Sequence, residues 1–410
     1  MTVRSDSVFT GLRVLDVASF IAAPAAATVL ADFGADVIKV EPPAGDQQRL
    51  LSSVPPHPRA RANYAWHLAN RNKRGMAVDL KSPGGTTILR RLVEWADVVI
   101  TNFPHGVREK LHLGYDEVSA WNPRVIYADV TGFGDAGPDA NLPGFDLTAY
   151  WARSGLLSST RDLGAPPTVP VTGSGDYATA MGIYGAIVTA LYHRERTGQG
   201  ASVGTSLLAA GVWAAGNFVA GALAGGASYG LHNPSAPTNP LMNPYQSSDG
   251  RWFLLVGTPA HWPAVARAVE HPELLEDPRF ADAAGIARNS AALTEVLDTA
   301  FRSQPLAHWR AVLDQAGVTY GLIQTPEEAA ADPQLRPNGI VVPLDGAAHL
   351  EETVSSPLTV RGLAKVPASS APELGQHNDE VLEELGFGRV EIEQLRAAGA
   401  IPGETEVEAA

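Results

Sequence analysis

Two stretches decide the fold that the sequence predicts, Arg13-Val14-Leu15-Asp16-Val17-Ala18 and Asp36-Val37-Ile38-Lys39-Val40-Glu41. Each is a short apolar run typical of a buried strand, and a helical segment from Pro24 to about Gly34 joins them. Strand, helix and strand in this order form a βαβ unit with two parallel strands. The first turn, Ala18 to Ala23, contains no glycine. The phosphate-binding fingerprint of dinucleotide-binding folds is therefore absent where it is expected.

Alternation of strands and helices continues along the chain. Met76 to Leu80, Asp97 to Asn102 and Val125 to Val130 are predicted as further strands. Between the first two, Ser82 caps and Pro83 opens a helix that runs to about Trp95. This order predicts an α/β fold around a parallel sheet.

A basic run, Asn70-Arg71-Asn72-Lys73-Arg74-Gly75, precedes one of these strands, and Arg108 and Lys110 lie on a short predicted helix after another. Cations that converge at strand ends would suit a phosphorylated cofactor. Composition alone favours solvated surface charges. Both interpretations stay open at this point.

Gly132-Phe133-Gly134-Asp135-Ala136-Gly137 matches the pattern G-x-G-x-x-G. Pro138 and Pro143 follow, whereas a dinucleotide site needs a helix that starts there and faces the pyrophosphate. We interpret the match as false for a dinucleotide. A glycine-rich turn at the carboxyl end of a strand can still line a ligand site.

The composition changes from about Tyr229 onward. Leu231 to Pro244 is rich in Pro and Asn, and a predicted strand, Arg251 to Val256, comes after it. Helical patterns cover Trp262 to about Glu270 and Ala291 to Gly317, the second interrupted around Gln304-Pro305. These features predict a separate, smaller α+β domain.

Overall composition excludes several function classes. A formal net charge of −14 argues against nucleic acid as a partner. The absence of cysteine excludes disulfides, cysteine-based metal sites and a thiolate nucleophile. The histidines show no metal-ligand spacing, so we expect no metal. The first residues lack a signal-peptide pattern, which makes a cytoplasmic location the expectation.

Ser206 to Gly226 contains no charged residue over about the length of a membrane span. The segment is mostly Ala and Gly, and no Lys or Arg flanks it closely. We therefore predict a buried helix that packs closely through its small residues, and no membrane association.

Val171-Thr172-Gly173-Ser174-Gly175-Asp176 is a small-residue loop that leads into a long helical pattern ending at Thr197-Gly198-Gln199-Gly200. The pattern predicts Asp176 at the helix N-cap, where free amides and the helix dipole stabilise an ionised carboxylate. With glycines beside it, Asp176 suits a role as an exposed nucleophile. The alternative is a purely structural cap, since Asp is common at that position.

Many ordered motifs together resemble the class III CoA-transferases, a family that contains formyl-CoA transferase, carnitine CoA-transferase and the α-methylacyl-CoA racemases. The resemblance covers almost the entire chain. It rests on Val14-Leu15-Asp16, Leu30 to Pro42, Asn72-Lys73-Arg74, Asp79-Leu80-Lys81, Gly132-Phe133-Gly134, Gly137-Pro138, Gly144-Phe145-Asp146, Gly175-Asp176, Thr197 to Gly200, Asp249-Gly250 and Gly375 to Leu382.

The resemblance implies a large Rossmann-like domain built from both chain ends, an inserted small α+β domain and an interlocked homodimer. The large domain would take residues 1–228, including a linker helix, and the small domain residues 229–325. Residues 326–410 would form the return linker and the rest of the large domain. Asp176 falls on the family's catalytic aspartate, which attacks an acyl-CoA thioester and becomes an aspartyl-CoA thioester.

Acyl-CoA and a carboxylic acid are then the implied substrates, with no metal. The family's CoA-contact positions fall here on Val78, Asp79, Leu80, Lys81, Asn102, Phe103, Pro104, Lys110, Val130, Thr131, Gly132 and Phe133. Amides near Gly175 are candidates for holding the oxyanion that develops on the attacked carbonyl.

Three departures from the family's patterns bear on the choice of reaction. Ile21 replaces a glutamine and Pro42 an arginine of formyl-CoA transferase, while Phe145 replaces the acid/base histidine of the racemases. Since phenylalanine exchanges no proton, we favour CoA transfer over racemisation. An NAD-dependent oxidoreductase and a non-catalytic acyl-CoA-binding protein are the remaining alternatives.

Overall fold

Six parallel strands form the central sheet of the computed structural model, which describes residues 7–227 and 230–403. They are β1 (Arg13–Val17), β2 (Asp36–Glu41), β3 (Arg74–Ala77), β4 (Val98–Thr101), β5 (Ile126–Thr131) and β6 (Ala201–Ser206). Their order is β3-β2-β1-β4-β5-β6, and every neighbouring pair is parallel. The predicted α/β class with a parallel sheet is confirmed. The order changes direction between β1 and β4, which makes a topological switch point there.

In the chain up to residue 223, one or two α-helices follow each strand of the sheet. They are α1 (Ala22–Asp32), α2 (Tyr64–Asn70), α3 (Pro83–Trp95), α4 (His105–Lys110), α5 (Tyr115–Trp121), α6 (Leu156–Ser159), α7 (Ser174–Thr197), α8 (Leu207–Ala214) and α9 (Gly216–Leu223). A 3-10 helix covers Gln47–Ser53, and a π-helix covers Asp146–Ala152. The bounds of α3 agree with the prediction, and Ser82 Oγ accepts from the Gly85 amide as its cap.

Successive residues of each strand enter different cores because their side chains point to opposite faces of the sheet. Val14 and Ile100 pack in a core with residues of α1 and α7. Leu15 and Val99 pack in a second core with residues of α3 and α5. The sheet is therefore covered by helices on both faces.

The chain divides into two compact units. One contains residues 1–157, 169–223 and 334–410, and the other contains 158–168 and 224–333. Residues 228 and 229, between which the domain boundary was predicted, lie outside the described residues. The predicted small domain did not include residues 158–168, which belong to the second unit.

The second unit combines an antiparallel sheet with a helical core. Its sheet order is β7-β8-β9, and the helical pattern is divided before Leu306, around the predicted interruption. Its elements are β7 (Met242–Gln246), β8 (Trp252–Val256), α10 (Trp262–Ala268), α11 (Ala283–Arg288), α12 (Ser290–Phe301), α13 (Leu306–Gln315), β9 (Tyr320–Leu322) and α14 (Pro326–Ala330).

The C-terminal part of the chain completes the first unit. Val381, Leu382 and Ile392 are buried in the same core as the α3 side chains. The elements here are β10 (Val341–Asp345), β11 (Glu352–Val354), β12 (Ala368–Ser369), α15 (Asn378–Glu384) and α16 (Arg389–Ala397). The core that packs against α3 therefore contains residues from both ends of the chain.

The prediction of one buried helix over Ser206 to Gly226 is wrong. Ser206 ends β6, and the remainder forms α8 and α9, which are separated at Ala215. No residue of α9 is buried, and Trp213 and Leu223 are 88% and 85% exposed. Within residues 7–227 and 230–403, no helix has both the length and the apolarity that crossing a bilayer requires. The Gly and Ala residues of α9 offer little apolar area for packing against the rest of the chain, so this helix is not drawn into the core.

Candidate active site

Helix α7 begins three residues earlier than the sequence pattern predicted. Its N-cap is Gly173, which adopts the left-handed conformation at φ 84° that favours glycine. Asp176 is consequently the third helical residue, and the prediction that Asp176 is the N-cap is wrong. The buried face of the helix carries Thr179, Ile183 and Ile187. A neighbouring set of side chains is half-buried: Tyr177, Met181, Tyr184, Val188 and Leu191.

The carboxylate that receives the amides at this helix end belongs to Asp146. Its Oδ2 accepts from the Gly173 amide at 2.6 Å and its Oδ1 from the Gly175 amide at 2.9 Å. A Cβ at position 175 would lie 2.3 Å from that Oδ1, so only glycine fits there. The Gly175 amide, predicted as an oxyanion donor, is thus already engaged by Asp146.

Asp176 is half-buried and lines a cavity of about 560 Å³. Burial raises the pKa of Asp176 to about 7, and the nearby charge of Asp146 adds to the shift. Burial also raises the pKa of Asp146, although amides at the helix end oppose it. The expected stabilisation of an ionised Asp176 by the helix end is therefore outweighed by desolvation.

The cavity lies at the carboxyl ends of β1, β4 and β5, next to the switch point of the sheet. This is where ligands of open parallel sheets bind. The residues that line it are Ser19, Phe20, Ile21, Ala22, Leu51, His57, Asn102, Phe103, Pro104, His105, Arg108, Val130, Thr131, Gly132, Ala140, Leu142, Pro143, Gly144, Phe145, Asp146, Leu147, Thr148, Thr172, Gly173, Asp176 and Leu207.

Side-chain hydrogen bonds fix the turn after β1 that forms one wall of the cavity. Asn102 Oδ1 accepts from the Ser19 amide at 2.9 Å, and Asn102 Nδ2 donates to the Ser19 carbonyl at 2.7 Å. Phe20 adopts φ 60°, and its amide donates to Asp46 Oδ1 at 3.2 Å. The buried Lys39 ammonium pairs with Asp46 at 3.0 Å and donates to the Ala18 carbonyl. Buried polar side chains therefore hold a turn that has no glycine.

Two glycines hold the opposite wall against the end of β5. A Cβ on Gly132 would lie 2.6 Å from the Gly144 Cα, and a Cβ on Gly144 would lie 2.5 Å from the Gly132 Cα. The segment that contains Phe145 can approach the strand only because both residues lack a side chain. No helix begins between Gly132 and Phe145, so the interpretation of G-x-G-x-x-G as a false dinucleotide match agrees with the structure.

The structure brings half of the predicted CoA-contact residues to the cavity. Asn102, Phe103, Pro104, Val130, Thr131 and Gly132 line it together with Asp176. Val78, Asp79, Leu80 and Lys81 instead follow β3, and Lys81 is exposed. Lys110 is the exposed last residue of α4, and Phe133 is half-buried beside Gly144.

Sequence reasoning missed the site roles of Asp146, His57 and Leu147. Asp146 belongs to the Gly144-Phe145-Asp146 motif, but the motif does not indicate which groups its carboxylate contacts. The partner amides lie up to 29 residues away, and no local pattern contains them. His57 and Leu147 carry no motif, and only the fold places them at the cavity.

Neither interpretation of the basic run from Asn70 to Gly75 is correct. Arg71 pairs with Asp32 at 2.6 Å, and both side chains are buried. Lys73 pairs with Asp16 at 2.8 Å, and neither side chain is exposed. Arg74 pairs with Asp36 at 2.6 Å. These cations are therefore part of the structure of the first unit and are neither phosphate ligands at the cavity nor free surface charges.

Arg108 is a buried cation on the cavity wall. Its guanidinium lies 3.3 Å from Asp129 and 3.1 Å from Asp135. Burial and the charge of Asp135 raise the pKa of Asp129 to about 6, although Arg108 opposes the shift. Two carboxylates therefore compete for one guanidinium at the edge of the site.

Comparisons with known proteins cover almost the whole chain. The chain is 30% identical to the (R)-2-hydroxy-4-methylpentanoate CoA-transferase of Clostridioides difficile, over 94% of this chain and 97% of that protein. It is also 30% identical to the succinyl-CoA:glutarate CoA-transferase of Mus musculus, over 95% of this chain and 89% of that protein. The crystal structure of a CAIB/BAIF family protein from Brucella suis superposes with a TM-score of 0.83 at 30% identity, covering 93% of this chain and all of that one. Residues 9–378 match CoA-transferase family III, so the chain belongs to this family and is a CoA-transferase.

Proposed function

We propose that this enzyme moves CoA from an acyl-CoA thioester to a carboxylic acid through a covalent intermediate on Asp176. The observation that carries the proposal is the position of Asp176 on the cavity wall at the switch point of the sheet. Its pKa of about 7 leaves a substantial fraction of the carboxylate ionised at neutral pH. A partly desolvated carboxylate is a better nucleophile than a fully hydrated one.

The exchange proceeds by acyl transfers that balance at each step. A carboxylate oxygen of Asp176 attacks the thioester carbonyl, the carbon–sulfur bond breaks, and CoA leaves as thiolate. The thiolate then attacks the aspartyl carbonyl of the mixed anhydride, releases the donor acid and leaves an aspartyl-CoA thioester. The acceptor carboxylate reverses these two steps, which forms the new acyl-CoA and restores Asp176.

CoA itself would contact all twelve predicted positions. Asn102 to Pro104 and Val130 to Gly132 would contact the end that carries the thioester, because they share the cavity with Asp176. Val78 to Lys81 would contact a more distant part of CoA, since they follow a parallel strand of the same sheet. Lys81 and Lys110 are exposed and would pair with phosphates of CoA. The half-buried Phe133 is the twelfth proposed contact.

A specific observation opposes the racemase alternative. Phe145 lines the cavity, and its ring lies edge-on to that of Phe20 with centroids 6.0 Å apart. An apolar aromatic pair therefore occupies the position where a two-base mechanism would need an acid/base group. The oxidoreductase alternative has no support, because the turn after β1 lacks glycine and no helix follows Gly137 directly.

The test is intact-protein mass spectrometry after mixing with a panel of acyl-CoA thioesters, followed by hydroxylamine trapping and peptide mapping. We expect a CoA adduct, and then a hydroxamate, on Asp176. Asp176→Ala should still bind acyl-CoA but form no adduct and show no turnover. An enzyme that turns over without any adduct at Asp176, or an active Asp176→Ala variant, would contradict the proposed mechanism.

We also propose that the enzyme is a homodimer. Trp213 and Leu223, at the end of α8 and of α9, are 88% and 85% exposed in the single chain. Phe218 on α9 is also 55% exposed, and exposed large apolar side chains on two consecutive helices favour an interface over a solvated surface. Analytical ultracentrifugation should give a dimer for the wild type and a monomer or a weaker dimer for Trp213→Glu. A monomeric wild type would contradict the proposal.

A further inference from the structure

The side chains around Asp176 form a largely apolar wall. A Cβ built on Gly173 would lie only 3.0 Å from Ile21 Cδ1, so Ile21 packs directly against the turn that leads to Asp176. Phe20 and Phe145 extend this wall as an edge-to-face pair. Leu142 and Leu147 also line the cavity. The part of an acid that lies beyond its reacting carboxyl group would therefore meet hydrocarbon.

Positive charge on the cavity wall is already neutralised. Among the residues that line the cavity in the described part of the chain, Arg108 is the single Lys or Arg. Its guanidinium is shared between Asp129 and Asp135. His57 and His105 also line the cavity, and Nδ1 of His105 lies 3.5 Å from Glu109 Oε1. A second anionic group on a substrate would have no free fixed cation to pair with.

Negative charge is present in the same space. Asp146 and Asp176 both line the cavity, and Asp146 is held by backbone amides, without a paired cation among residues 7–227 and 230–403. Asp176 loses its charge once it forms a thioester, so one reacting carboxylate can enter. A further carboxylate would be desolvated near Asp146 without compensation, which is costly.

We propose that the acids exchanged by this enzyme are monocarboxylates with an apolar remainder, and that dicarboxylates are rejected. This inference rests on the proposed function and specifies its substrate class. Because the donor and acceptor half reactions are the reverse of each other, the same wall selects both acids.

The test compares two thioesters of equal chain length, pentanoyl-CoA and glutaryl-CoA, which differ by a terminal methyl group or carboxylate. The rate of CoA-adduct formation on Asp176 is measured for each without an acceptor acid. We expect pentanoyl-CoA to react faster by on the order of 100-fold. Phe145→Lys places a cation at a half-exposed part of the wall, since Phe145 is 56% exposed, and should reduce this ratio by at least about tenfold.

Val390→Lys is the matched control because Val390 is 66% exposed on α16 and does not line the cavity. It should leave the ratio unchanged. A wild type that reacts with glutaryl-CoA as fast as with pentanoyl-CoA overturns the inference and leaves the covalent mechanism standing. If neither thioester, nor any other in a wider panel, modifies Asp176, the proposed function itself fails. The wild-type ratio decides the inference even if Phe145→Lys does not fold.

Discussion

Two groups of buried charges in the first unit are held in opposite ways. Under the turn after β1, Lys39 pairs with Asp46 and Lys73 with Asp16, and all four side chains are almost fully buried. The Lys73 ammonium also donates to the Pro24 and Ala69 carbonyls, at 2.7 and 2.9 Å. Positive and negative charges compensate each other in this group, which we call the paired cluster.

The second group consists of Asp146 and Asp176. Asp146 is compensated by amides alone, and within the described residues no cation contributes to the pKa of either carboxylate. The paired cluster fixes a wall of the site. The carboxylate pair contains Asp176, whose pKa of about 7 lets it change its protonation state near neutral pH. The paired cluster thus contributes to stability, and the carboxylate pair contains the proposed reactive group.

The largest stability effect is expected from breaking the paired cluster. Lys73→Met leaves the Asp16 carboxylate buried without its cation, and it should lower the free energy of unfolding by about 3–5 kcal/mol. Arg90→Met is the control, because Arg90 and its partner Glu94 are exposed; it should cost about 0.5 kcal/mol or less. Urea unfolding measures both. Equal losses for the two variants would show that the buried pair contributes no more than a surface pair.

Removing a charge from the carboxylate pair should have the opposite sign. The folded state raises the pKa of Asp176 from 3.8 to about 7, so its contribution to stability is present below pH 3.8 and is lost as the pH rises through 7. Asp176→Asn avoids this loss. At pH 8 it should raise the free energy of unfolding by about 1–3 kcal/mol relative to the wild type, and near pH 4 by much less.

The measurement is urea unfolding at both pH values. Glu276→Gln, which removes an exposed carboxylate of the second unit, controls for the general effect of charge and should show no such pH dependence. If Asp176→Asn is no more stable than the wild type at pH 8, Asp176 is not destabilised by burial.

Local sequence signals were sufficient for much of the sheet and several helices. Ser82 and Pro83 gave the start of α3, and Gln304-Pro305 gave the interruption before α13. Strand β6 was missed because Ala201-Ser202-Val203-Gly204-Thr205-Ser206 contains few bulky apolar residues and no clear alternation. Its position next to β5 is decided by pairing along six residues and not by its own composition.

The electrostatics of the site depended on contacts between residues far apart in sequence. Lys73 meets Asp16 across 57 positions, so the basic run looked like surface charge. Asp176 was identified from the family motif, yet its pKa direction was misjudged, because the amides assumed to stabilise it are bound by Asp146. Sequence motifs therefore located the proposed nucleophile, and only the fold could show what surrounds it.

The smallest effect tests the coupling within the carboxylate pair. In the proposed mechanism the ionised form of Asp176 attacks, so the rate of adduct formation should rise as the pH increases through about 7. Asp146→Asn removes the charge that contributes to the raised pKa of Asp176, and it should move this rise in rate to lower pH by about 0.5–1 unit.

Asp135→Asn is the control, because the Asp135 carboxylate pairs with Arg108; it should leave the midpoint of the pH dependence in place. The pH dependence of single-turnover adduct formation under saturating acyl-CoA measures the midpoint for each protein. An unchanged midpoint in Asp146→Asn would mean that burial alone sets the pKa of Asp176 and that the two carboxylates act independently.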